Sequence, residues 1–239
     1  MQTLVRLGQT TPSGSLIPGS HSQARRIVAL GDSLVYGYGD VEGGGWVERL
    51  RRSWMDPDRP THALYNLGIR GDGVAQVLQR LVGEFRQRGE LKNRQPDRLI
   101  LSVGLNDSAR LGKPDGRNFT DLDRFQSLMD TLLDQALEQV GGAESLCFVG
   151  MVPTDPQKMP FLDCLHYTHW DQYRYKTATR LACEQRGIPY LDLFELWIHR
   201  GEDWWKPRLS SDGLHPNPLG YGTILQDVQS WHPWQQFLG

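Results

Sequence analysis

No stretch of the 239-residue chain approaches the ~18 consecutive apolar residues that a membrane-spanning helix requires. The first 23 residues hold Arg6 but no apolar block behind it, and Gln, Thr, Pro, Ser and Gly dominate. That composition does not read as a secretory signal, and we expect a cytoplasmic protein. We expect residues 1–23 to form a flexible or surface-laid arm and residues 24–239 a single domain. An excess of charge of either sign is also missing. The formal net charge is −2, so no basic footprint speaks for nucleic acid. The three cysteines, Cys147, Cys164 and Cys183, cannot all pair within one chain, and their wide spacing fits no zinc pattern. Buried or free thiols in a reducing compartment are expected.

Nucleotide-binding glycine motifs are absent as well. Gly37-Tyr38-Gly39 is followed by Asp40, Val41 and Glu42, without the third glycine of a dinucleotide turn. Gly112-Lys113 runs into Pro114, which excludes a phosphate loop. Val35 occupies the place where a G-x-S-x-G nucleophile elbow has its last glycine.

What is present is an ordinary globular composition, 38% apolar and 23% charged. Arg26-Ile27-Val28-Ala29-Leu30 is an apolar run that reads as a buried strand ending at Gly31. Similar runs occur at Ala63-Leu64-Tyr65-Asn66-Leu67 and at residues 98–103, 146–152 and 189–193. Between them, apolar residues recur at helical spacing: Trp46, Val47, Leu50 and Trp54; Val74, Val77, Leu78, Leu81, Val82 and Phe85; Leu122, Phe125, Leu128, Met129, Leu132 and Leu133. Residues 170–186 read as a further helix, stopped by Gly187, and a last one runs from Pro218 or Leu219 towards Trp231. Strand and helix alternate five times without a composition break. The pattern predicts α/β architecture, one parallel sheet with helices on both faces. Two connections, 108–120 and 153–167, are long enough to act as lids or binding walls.

Ligands of open parallel sheets sit beyond the carboxyl ends of the strands. There the chain carries Gly31-Asp32-Ser33-Leu34, then Asn66-Leu67-Gly68-Ile69-Arg70-Gly71-Asp72, then Gly104-Leu105-Asn106-Asp107. Near the C-terminus comes Asp212-Gly213-Leu214-His215-Pro216. A serine hydroxyl is a weak nucleophile at its free pKa and needs a base, which His215 can supply near neutral pH. Asp212 can fix the imidazole tautomer and stabilise the imidazolium. An oxyanion formed on the attacked carbonyl needs preorganised donors. The Ser33 and Gly71 N–H groups and the Asn106 amide can supply them from three strand ends. Each motif alone is an ordinary helix start, turn or loop. The four together, in this order, are specific.

These four blocks resemble those of the SGNH hydrolases, the GDSL esterase/lipase family. The resemblance spans Gly31 to Pro216 and leaves out the first residues and the Trp-rich end. Gly71 matches the oxyanion donor of the glycine block, with Gly68 as the alternative. The resemblance implies a single three-layer α/β/α domain, flavodoxin-like, with a five-stranded parallel sheet. It implies ester hydrolysis of esterase, lipase or thioesterase type through an acyl-enzyme on Ser33, with His215 and Asp212 completing a triad. Neither cofactor nor metal is implied, and the partner is a small-molecule ester. No feature speaks to oligomeric state. Two other readings keep the same fold: an acyltransferase with the same machinery, and a binding module without catalysis. The second would be favoured by loss of Ser33, Asn106 or His215, and all three are present.

Cys164, His166 and His169, with Asp163 and Asp171, cluster in sequence but lack recognisable metal-ligand pairs, so we expect no metal there. Trp204 and Trp205 can either line an acyl pocket or pack the C-terminal segment over the sheet.

Overall fold

The structure is a computed structural model, and it describes residues 24–55, 62–89 and 95–239. The expected arm at residues 1–23 lies outside the described residues. Five strands form the central sheet: β1 (Arg26–Gly31), β2 (Ala63–Gly68), β3 (Arg98–Ser102), β5 (Leu146–Val149) and β7 (Tyr190–Leu191). Their order is β2-β1-β3-β5-β7 and every pairing is parallel. This is the flavodoxin-like doubly wound arrangement expected from the sequence.

Alternation along β1 explains why both faces are covered. Val28 and Leu30 point to one side, where Leu99 and Leu101 of β3 join them under α3 (Val74–Gln87), α4 (Leu122–Val140) and α5 (His169–Gln185). Ile27 and Ala29 point to the other, with Ile100 and Cys147, under α2 (Gly45–Ser53) and α8 (Pro218–Ser230). Both sides of β1 are fully buried, which is why its sequence is continuously apolar.

Three differences from the sequence reading have local causes. β5 stops at Val149 rather than Val152, because beyond it the backbone bonds to a side chain: Val152 O accepts from Gln172 Nε2, and Thr154 N donates to Gln172 Oε1. β7 is short because Asp192 caps the next helix, accepting from Glu195 N and turning Leu193 into α6 (Leu193–His199). The sequence reading did not anticipate α6, nor α7 (Glu202–Trp205) and α9 (His232–Leu238), the last separated from α8 at Trp231.

The two long connections pair with each other. β4 (Arg110–Leu111) and β6 (Leu165–His166) form a small antiparallel ribbon outside the main sheet. Arg110 grips the buried Asp171 at the start of α5 with two hydrogen bonds of 2.6 and 2.8 Å, and Thr168 adds a third. No helix among the described residues is long and apolar enough to cross a membrane.

Candidate active site

Register brings three of the four motifs together. Gly31 at the end of β1 lies opposite Gly68 of β2 on one side and Ser102 of β3 on the other. A side chain at Gly31 would meet Ser102 O at 2.0 Å, so only glycine lets the strands converge here. The chain then turns into α1 (Ser33–Tyr36), and Asp32 caps it by accepting from Leu34 N at 2.9 Å. The cap fixes Ser33 as the first helical residue, over the carboxyl end of the sheet. From below, the buried Tyr221 hydroxyl of α8 donates to Tyr38 O at 2.9 Å and holds this turn.

His215 arrives from a tight loop. Asp212 Oδ1 accepts from Leu214 N and His215 N at 2.9 and 3.0 Å, wrapping the backbone around its own carboxylate. Asp212 Oδ2 then lies 2.7 Å from His215 Nδ1, and His215 Nε2 lies 3.0 Å from Ser33 Oγ. Burial pushes the Asp212 carboxyl up, but the hydrogen bonds from the His215 ring and the two N–H groups outweigh it and hold it below the usual carboxylate range. With Asp212 ionised, Nδ1 carries the proton and Nε2 faces the serine as an acceptor. Tyr38 and Phe161 pack edge-on against the imidazole, with ring centroids 4.6 and 5.6 Å away.

Ser33, Gly71, Asn106 and His215 line one cavity of about 300 Å³. Gly71 has φ of +83°, the left-handed region that favours glycine, and a side chain there would meet nothing within 4 Å. Conformation rather than crowding calls for glycine at this position. Gly68, the alternative, does not line the cavity: a side chain there would strike the Tyr36 backbone at 2.1 Å, so it serves packing of α1 on β2. Among the described residues, neither Ser33 N–H nor Gly71 N–H has a protein acceptor. Asn106 Nδ2 donates to Asp72 O at 2.9 Å, which commits one of its two amide hydrogens. Tyr167 donates to Asn106 Oδ1 at 3.3 Å and so orients the amide.

Asp107, beside Asn106, does structural work. It is fully buried and accepts from Val74 N at the start of α3 and from Thr120 Oγ1. Burial raises its pKa, and burial likewise pushes Asp32 up to about 7, with the Asp107 and Asp72 carboxylates adding to the effect and the Leu34 N–H opposing it.

The connection 153–167 supplies Phe161, Leu165 and Tyr167 to the cavity wall, with Leu162 at its exposed tip. The connection 108–120 braces that wall through the β4–β6 ribbon rather than lining it. Trp204 and Trp205 are not in the wall. Trp205 is fully buried in the core beneath α8, and Trp204 is covered by Arg208, whose guanidinium lies 3.6 Å from its ring centroid. His169 is held by Thr154 O at 2.8 Å and Asp171 by Arg110, and no group of three metal-ligating side chains occurs among the described residues. Sequence reasoning missed Tyr38, Phe161, Tyr167 and Arg70. The length of the 153–167 connection signalled Phe161 and Tyr167, and Arg70 stood in the Asn66–Asp72 block without a role assigned to it.

Solved structures share the fold at low identity. A lipase/acylhydrolase from Enterococcus faecalis superimposes with a TM-score of 0.62 at 20% identity, over 85% of this chain and 93% of that one. A psychrotrophic esterase from Pseudoalteromonas sp. gives 0.59 at 18%, covering 86% and 94%. An acetylxylan esterase from Geobacillus stearothermophilus gives 0.62 at 13%, covering 89% and 97%. A search of curated protein sequences returns no match. Family membership comes from a sequence model instead: that of the GDSL-like lipase/acylhydrolases matches residues 29–222, and the chain therefore belongs to this family of carboxylic-ester hydrolases.

Proposed function

We propose that the protein hydrolyses carboxylic esters of small molecules through an acyl-enzyme on Ser33. The observation that carries this reading is the continuous line from Asp212 through His215 to Ser33, at 2.7 and 3.0 Å. His215 Nε2 takes the Ser33 proton as Oγ attacks the ester carbonyl. The tetrahedral oxyanion is met by the N–H groups of Ser33 and Gly71 and by the free amide hydrogen of Asn106. The imidazolium, stabilised by Asp212, returns its proton to the departing alcohol. Water then repeats the sequence on the acyl-serine, releasing the acid and restoring the hydroxyl. Every group required belongs to this chain. The cavity of about 300 Å³ is at the small end for ligand sites, which favours short acyl groups.

The test is Ser33→Ala together with labelling by an organophosphonate. Hydrolysis of p-nitrophenyl acetate is lost while the circular dichroism spectrum is unchanged, and the label sits on Ser33. Label on another serine, with activity kept in Ser33→Ala, overturns the reading.

A further inference from the structure

One side chain of the cavity is left over from this chemistry. Arg70, an exposed residue, lines it beside Gly71 and is the one permanently charged residue among those that do. Its neighbours in the wall are Phe161, Leu162, Leu165, Tyr167 and Leu214. Two arginines near the site, Arg80 and Arg110, are engaged instead. Arg80, ten residues on, spends its guanidinium on Asp72 and on the carbonyls of Leu67 and Gly31, at 2.8 to 2.9 Å. Arg110 is bound twice by Asp171. Among the described residues, no carboxylate pairs with Arg70.

Arg70 is nonetheless held in place. Its guanidinium carbon lies 3.7 Å from the centroid of the Tyr38 ring, a stacked cation–π contact. Tyr38 in turn packs against His215. Stacking covers one face of the guanidinium and leaves its edge, where the N–H donors are, available to a ligand. A planar fork of donors matches a carboxylate. A cation with no carboxylate partner among the described residues, beside a largely apolar wall, favours a substrate that brings the opposite charge.

We propose that Arg70 is a specificity-determining residue, and that the preferred substrates are esters carrying a carboxylate close to the scissile bond. The proposal rests on the Ser33 hydrolase reading above. The charge can lie on the acyl or the alcohol side, so two substrate pairs are needed. Mono-4-nitrophenyl adipate is set against 4-nitrophenyl hexanoate, and 4-acetoxybenzoate against its methyl ester. The readout is the ratio of kcat/KM for the charged over the neutral member, corrected for spontaneous hydrolysis. In the wild-type enzyme the ratio exceeds that of Arg70→Gln by about tenfold or more in at least one pair, as expected for one charge-assisted hydrogen bond. Arg70→Lys, which keeps the charge but loses the fork, falls between the two. Raising the salt to 0.5 M lowers the wild-type ratio and leaves that of Arg70→Gln unchanged. Equal ratios in wild-type and Arg70→Gln for both pairs overturn the proposal. Ser33→Ala separates this from failure of the underlying reading: if it cleaves the neutral esters, the hydrolase mechanism itself is wrong, whatever Arg70 does.

Discussion

His215 Nε2 stands 3.0 Å from Ser33 Oγ, although 182 residues separate the two in sequence. The serine is set by the end of β1 and its Asp32 cap, the histidine by the loop that Asp212 folds around itself. Two independent local structures must therefore meet within hydrogen-bond length, and the predictions below probe what holds them there.

Asp212→Asn keeps an oxygen for the Leu214 and His215 N–H groups but turns an amide towards Nδ1. The imidazole is then held in the wrong tautomer, with its proton facing Ser33. We expect kcat to fall by about 10⁴-fold with the fold intact, as for other triads. Steady-state kinetics on p-nitrophenyl acetate, with circular dichroism, checks this. A folded variant with kcat near wild type removes Asp212 from the mechanism.

In the proposed mechanism Asn106 donates to charge that develops in the transition state, and Asn106→Ala removes that donor. The expected loss in kcat is about a hundredfold or more, with little change in KM. Asn106→Asp is at least as harmful, because a carboxylate repels the oxyanion. Tyr167→Phe frees the Asn106 amide to rotate and lowers kcat by a smaller factor. Unchanged kcat in Asn106→Ala makes Asn106 a turn residue only.

Asp32 links stability to pH. Its pKa is about 7 in the folded protein, against 3.8 for an unperturbed carboxyl. Between these values the native state keeps a proton that the unfolded chain has lost, so stability falls as pH rises through that window and levels off above it. Asp32→Asn still caps Leu34 N but buries no charge. Relative to wild type it gains about 2–3 kcal/mol between pH 5 and pH 8. Urea unfolding at both pH values measures the gain. A gap independent of pH contradicts the shift.

Arg110→Ala leaves Asp171 buried without its main partner. Burial alone would raise the Asp171 carboxyl, and the Arg110 and Thr168 hydrogen bonds hold it below its ordinary range. The variant loses about 3 kcal/mol of stability, the usual result of breaking one side of a buried pair. The β4–β6 ribbon loosens with it, and KM rises several-fold while kcat changes less. Arg110→Leu with Asp171→Leu restores much of the stability. An Arg110→Ala protein with wild-type unfolding midpoint and KM shows that the ribbon needs no brace.

The central sheet and the four motifs were legible because their causes are local or periodic. Continuous apolar runs at Arg26–Gly31 and Arg98–Ser102 follow from burial on both faces. The end of β7 was less legible, since whether Leu193 continues the strand depends on the Asp192 cap. The aromatic and charged lining was not legible at all. Tyr38, Arg70, Phe161 and Tyr167 come from three separate connections and share no spacing. They meet only because β1, β2 and β3 end side by side and the 153–167 connection folds back over them. Sequence by itself thus determined the residues of the proposed chemistry: Ser33, His215, Asp212 and the candidate donors Gly71 and Asn106, each on a turn its own residues specify. Tertiary structure alone decided what surrounds that chemistry, because the register of three parallel strands and the docking of a long connection depend on packing across the whole domain. The result is a cavity of about 300 Å³ with a largely apolar wall beside Ser33, Asn106 and His215, and Arg70 held at it by Tyr38.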